Sequence, residues 1–196
     1  MIRFLAVGVL SLCAAAPALA GSPALHSGKY EGLMLAVTPE HQVEGYYAEA
    51  MGEDVTRSCT FYLQGKPDAL TTWNDEAYPG SVAPSSDGVT LSVKEGRQHP
   101  GCMNVLMPEI ATGLDLTQTA NKKWIGLVTV SADKAYLLKT PSAKPAKRPY
   151  IVKNDVVGVL AFKEGWAQVE FINAQSRSFT GWISQDQYSR LSAPKP

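Results

Sequence analysis

The chain has 196 residues, with 18 basic and 18 acidic side chains and no net charge, which argues against nucleic acid as a partner of the whole protein. Beyond residue 20 only Cys59 and Cys102 remain, too few for a cysteine-rich scaffold and without the CxxC spacing of a zinc or redox site. The zero balance hides an asymmetry: residues 21–127 hold 7 Lys and Arg against 13 Asp and Glu, and residues 128–196 hold 10 against 5. Halves of opposite sign predict two modules with different surfaces.

Residues 1–20 have the three parts of a secretory signal: basic Arg3, an apolar run from Phe4 to Leu12, and Ala18-Leu19-Ala20 as a cleavage site. The run is too short to span a bilayer, and no later segment approaches the roughly 20 apolar residues a membrane helix needs. Cys13 raises the alternative of lipid attachment, but Leu12 stands where a small residue is required. Export to the periplasm or outside the cell makes a Cys59–Cys102 disulfide the expected use of an even pair. On the chain-entropy account such a bridge stabilises by up to about 4 kcal/mol.

Residues 21–28 read as a flexible leader of small and polar residues, with order from Lys29. Short β-type runs follow at Tyr30–Val37, Val43–Ala48, Arg57–Gln64, Ala69–Trp73, Val89–Lys94 and Met103–Met107, separated by Gly, Pro, Asp and Asn. Cys59-Thr60-Phe61-Tyr62-Leu63-Gln64 alternates, as a strand with one buried face should. This pattern predicts an antiparallel β-meander over 29–123, curled into a barrel or sandwich. Residues 108–123 read as a polar connection near the module boundary.

A second β series occupies 124–196: Trp124–Val130, Ala135–Lys139, Tyr150–Val152, Val156–Phe162, Trp166–Phe171 and Phe179–Ile183. Pro141–Pro149 breaks it as an exposed loop with polyproline character and the basic residues Lys144, Lys147 and Arg148. Its Pro-x-x-Pro spacing is read as loop chemistry rather than as a ligand for a separate SH3 domain.

Several residues of this series match a known pattern. These are Ala135-Tyr136-Leu137 followed by Pro141, Tyr150-Ile151-Val152-Lys153-Asn154-Asp155-Val156-Val157-Gly158, Gly165-Trp166-Ala167-Gln168-Val169, and Gly181-Trp182-Ile183 with Leu191. Together they resemble the bacterial SH3-like (SH3b) domain. The resemblance implies a small barrel in which Lys153–Asp155 turns between strands, Trp166 caps one end of the core and a last short helical turn follows Trp182. Leu137-Leu138-Lys139 departs from the Asn-Val-Arg-type segment of many members, so peptidoglycan contacts do not carry over residue by residue. The preceding part, with Gly28-Lys29-Tyr30-Glu31-Gly32 and Gly45-Tyr46-Tyr47, resembles exported lipocalin-like or calycin-like meanders joined to such tails. Some relatives of that architecture are linked with lysozyme-inhibitor-type modules. The expected fold is therefore all-β, an antiparallel meander barrel or sandwich followed by a small SH3-like barrel.

No catalytic constellation emerges. Cys59 sits in an alternating strand and Cys102 follows Pro100-Gly101, so both suit a disulfide better than a nucleophile, and Ser131-Ala132-Asp133-Lys134 has Ser-x-x-Lys spacing but none of the accompanying elements of the acylases that use it. His26, His41 and His99 are scattered, so no metal or cofactor is expected. The expectation is a non-enzymatic binding protein that contacts peptidoglycan or an envelope protein. Its candidate residues are Lys144, Lys147 and Arg148, with Trp73 and Tyr78 as an exposed stacking pair. The rival reading is an inhibitor or immunity protein that blocks a wall-degrading enzyme such as lysozyme through an acidic stretch containing Glu44, Glu49 and Glu53.

Overall fold

A computed structural model describes residues 24–52, 56–144 and 149–194. The expected signal sequence with Cys13, and the candidates Glu53, Lys147 and Arg148, lie outside the described residues.

The fold is all-β. Eight antiparallel strands close into a barrel: β1 (Gly28–Tyr30), β2 (Leu33–Val37), β3 (Val43–Met51), β4 (Arg57–Lys66), β5 (Ala69–Trp73), β6 (Ala77–Pro84), β7 (Gly88–Val93) and β8 (Leu114–Asn121). Each pairs with the next, and β8 returns to β1 through the register Gly28↔Asn121. Alternation builds the wall: in β4, Cys59, Phe61 and Leu63 are buried while Thr60, Tyr62 and Gln64 are half-buried on the outer face. The inward side chains Leu33, Leu35, Tyr47, Phe61, Leu63 and Leu91 belong to a single core cluster.

Two differences from the strand pattern concern this barrel. The segment Met103–Met107 is not a strand, and residues 108–123 are not a connection. After β7 the chain makes three 3-10 turns, Gly96–Gln98, Cys102–Asn104 and Pro108–Ala111, which bury Cys102, Val105, Leu106 and Ile110 against the barrel core. Polar-looking Leu114–Asn121 is the closing strand, with Leu116 its one fully buried side chain. The Cys59–Cys102 disulfide is formed and ties the turns to β4. Gly101 beside it has φ 79°, and a Cβ there would strike the Ser58 carbonyl.

Residues 126–190 form a five-stranded sheet in the order β14-β13-β12-β9-β15 and a two-stranded one of β10 and β11. The strands are β9 (Gly126–Val130), β10 (Lys134–Tyr136), β11 (Tyr150–Val152), β12 (Val156–Lys163), β13 (Trp166–Ile172), β14 (Ser178–Ser184) and β15 (Tyr188–Arg190). Asn154, with φ 73°, makes the turn between β11 and β12. Val128, Leu137, Ile151, Val157, Val159, Val169 and Ile183 fill this unit's own core. Among the described residues no helix is long and apolar enough to cross a membrane.

The two units are docked. A third cluster joins Ala36 and Trp73 of the barrel to Trp124, Leu127 and Leu191, and Trp124 is only 1% exposed. Gly158 makes room for it, since a Cβ there would overlap the Trp124 indole. Polar contacts cross the boundary too. Ser27 donates to the Trp124 carbonyl (2.6 Å), and the Leu127 N–H donates to Glu44 (2.7 Å). The Gln64 amide donates to the Leu191 carbonyl (3.3 Å). At one side Glu170 accepts from Lys122 and from Trp124 Nε1, both at 2.7 Å, and from Ser178. Burial works to raise the Glu170 carboxyl, but these three donors outweigh it and hold it below the usual range.

Candidate binding site

The hairpin joining β12 and β13 turns at Glu164-Gly165, where φ is 73° at the glycine. Register places Lys163 opposite Trp166, and Trp166 opposite Ser184. The chain then makes the 3-10 turn Gln185–Gln187 before β15. One bond holds this turn against the hairpin, from the Gln185 N–H to the Gly165 carbonyl (2.8 Å), and within the turn the Ser184 N–H donates to Gln187 Oε1 (3.1 Å).

Between the hairpin and β15 lies an open cavity of about 390 Å³, lined by Phe162, Lys163, Glu164, Gly165, Trp166, Gln185, Tyr188 and Arg190. Phe162 is 36% exposed and its ring centroid stands 6.4 Å from that of Tyr188. The Arg190 guanidinium lies 4.0 Å over the Phe162 ring. Trp166 is half-buried on this surface, not an end cap of the core. Register sets Phe162 opposite Ala167 and Trp166 opposite Lys163, so these two side chains leave opposite faces of the hairpin; the groove offers the Phe162 and Tyr188 rings for stacking, with Trp166 at its edge, two cations, one carboxylate and an amide.

The residues singled out from sequence fall elsewhere and are not brought together. Trp73 is 8% exposed, packed against Tyr62 (5.7 Å between centroids) under the second unit. Tyr78 pairs with Thr72 across β5 and β6 whereas Trp73 pairs with Ala77, so the two rings occupy opposite faces of the wall. The stacking pair is therefore not a shared platform. Tyr78 lies edge-on to His99 (4.9 Å) and its hydroxyl donates to Glu76 (2.7 Å). Glu44 is turned into the boundary, where burial pushes its carboxyl up against the opposing effect of the Leu127 and Gln64 donors. Glu49 is half-buried and accepts from the Tyr47 hydroxyl (2.6 Å). Lys144 is exposed.

His99 is the clearest surprise in the barrel. It is 1% exposed, stacked on Phe61 (4.7 Å), with Nε2 at 3.0 Å from the Thr72 hydroxyl. Desolvation depresses its pKa to about 4, so it is neutral at ordinary pH. Ser131 directly follows β9, and the Lys134 amine lies over the Tyr150 ring at 4.1 Å, a cation–π contact. Among the described residues no group of three His, Cys, Asp or Glu is placed to hold a metal ion.

Sequence reasoning passed over Phe162, Lys163, Glu164, Gln185, Tyr188 and Arg190. The available signal was Phe162-Lys163-Glu164-Gly165-Trp166, a hairpin tip with an aromatic residue at each end. No family model, curated protein or solved structure matches this chain.

Proposed function

We propose that this is an exported, non-catalytic binding protein of the bacterial cell envelope, and that the groove around Phe162 and Tyr188, edged by Trp166, contacts peptidoglycan. The observation that carries the reading is the groove: aromatic rings around an open cavity, one held exposed beneath Arg190. Flat rings flanked by amide and charged groups suit peptides and sugars, which present apolar faces rimmed by hydrogen-bonding groups. The signal-like start and the formed disulfide support an oxidising compartment. An eight-stranded meander barrel beside a small five-stranded sheet, with a short helical turn before its last strand, supports the calycin-like and SH3-like reading. The barrel interior is filled by side chains, so the groove rather than the barrel lumen is taken as the ligand site. The inhibitor reading gains nothing from the acidic stretch, since Glu44 is engaged at the boundary and Glu49 by Tyr47.

Titrating soluble muropeptides, released from purified peptidoglycan, into the full chain and into Trp166→Ala tests this. Saturable binding, weakened about tenfold or more in the variant while its melting is retained, is expected. Equal binding by both proteins overturns the assignment of the groove. No muropeptide binding, with capture of an envelope protein that Trp166→Ala loses, would assign the groove to a protein partner instead.

A further inference from the structure

The groove continues past the second unit. Phe162 and Arg190 also line a notch of about 150 Å³ whose other wall belongs to the barrel, through Thr38, Pro39, Glu40 and Glu44. The two cavities share one divider, the Arg190 guanidinium over the Phe162 ring. A guanidinium stacked by one face keeps its in-plane N–H donors, and Arg190 makes no ion pair among the described residues. It nevertheless lies within electrostatic reach of both Glu40 and Glu44.

The two carboxylates differ. Glu44 is already committed to Leu127 and Gln64. Glu40 stands exposed at the rim, its carboxyl held low chiefly by the Thr38 hydroxyl. The notch therefore sets an unpaired guanidinium near an accessible carboxylate. A ligand bearing only an ammonium is drawn to Glu40 and repelled by Arg190, and one bearing only a carboxylate meets the reverse. A group with an ammonium and a carboxylate on one carbon offers a charge to each, and its carboxylate suits the planar donor fork of Arg.

We propose that the notch between the units recognises an amino-acid zwitterion, an ammonium and a carboxylate on one carbon, presented by a residue joined through its side chain to a peptide that lies along Phe162 and Tyr188. This rests on the groove reading above and adds the barrel to the site. Docking of the two units then has a purpose in recognition, because neither unit alone supplies both charges.

The test compares muropeptides with free amino-acid ends, the same muropeptides with amines acetylated, and the same with carboxylates converted to carboxamides. They are titrated into the wild-type chain, Glu40→Gln, Arg190→Gln and Trp166→Ala. Either blocking step should weaken wild-type binding about tenfold. Acetylation should change binding to Glu40→Gln by less than about twofold, and amidation likewise for Arg190→Gln, since the partner charge is already gone. Equal wild-type binding of all three preparations, with Trp166→Ala still impaired, overturns the zwitterion and leaves the groove standing. Loss on one blocking step alone also overturns it in favour of a simple cation or anion site. If no preparation binds the wild-type chain, both readings fall together. Glu40 is exposed, so Glu40→Gln should fold normally.

Discussion

The barrel stacks Tyr47, Phe61 and His99 inside its closed wall, at centroid separations of 4.9 and 4.7 Å, whereas the second unit sets Phe162 and Tyr188 about an open cavity edged by Trp166. Both regions are antiparallel sheet, and both use aromatic residues at strand positions. What differs is the covering. Inward residues of a closed barrel have nowhere to go but the core, while residues at a hairpin tip and on a short last strand stay accessible. The role of an aromatic residue here follows from its register and its place along the strand, not from its type.

The largest expected effect breaks that comparison if it fails. Phe61→Ala should cost about 4 kcal/mol in chemical denaturation, since it opens a cavity among Tyr47, His99 and the neighbouring core. Trp166→Ala, at a half-buried surface position, should cost about 1 kcal/mol. Equal losses would mean that the groove aromatics are core residues and that the contrast is false.

The barrel stack also makes a pH prediction. An unfolded histidine titrates near 6.5, whereas folded His99 titrates at about 4. As pH falls, the unfolded chain takes up the proton first. The stability held through neutral His99 is therefore complete above about pH 6.5 and lost progressively down to about 4, by an amount on the order of 3 kcal/mol. His99→Gln should flatten that part of a stability-against-pH curve. A wild-type curve already flat between those values would show that His99 is not desolvated.

Much of the fold was legible because a strand with one buried face writes its alternation into the chain, as Cys59, Phe61 and Leu63 do in β4. An even cysteine pair behind a signal-like start was enough to expect the bridge that joins β4 to the turns. Other features depend on long-range pairing. The closing strand β8 looks like a polar linker because its outer positions are wet, and only pairing with β7 on one side and with β1, some 90 residues away, on the other makes it a strand. Met103–Met107 is apolar enough to resemble a short strand, yet 3-10 turns place Val105 and Leu106 against the barrel core and leave Met103 and Met107 exposed. β6 carries Pro79 and Pro84, which mask a strand in any local reading. Trp73 was taken for a surface ring because nothing local shows that a second unit docks over it. Arg190 and Tyr188 were missed because a three-residue strand behind a 3-10 turn leaves almost no periodic signal.

A smaller effect is expected at the boundary. Glu170→Gln replaces an acceptor of three donors by a neutral amide and should cost about 2 kcal/mol near neutral pH. Because the folded carboxyl is held below its ordinary range, this contribution is present at pH values above that range and disappears as pH falls through the folded titration. The gap between wild type and variant should therefore close in acid, at lower pH than the His99 loss. A gap that persists unchanged in acid would assign the effect to packing around Trp124 rather than to the charge.

The smallest effect concerns the divider of the groove. A cation over an exposed ring contributes about 0.5–1 kcal/mol, so Arg190→Ala and Phe162→Ala should each shift the denaturation midpoint only slightly. Their double variant should lose less than the two single losses added together, because the first substitution already removes the stack. Strict additivity would show that the guanidinium does not rest on the ring in solution, and the two cavities would then merge into one groove without a divider. A coupling of the expected size, in a protein whose stability barely moves, would confirm that these side chains are set in place without being needed for folding. That separates them from Phe61 and His99, whose substitution should disturb the fold first.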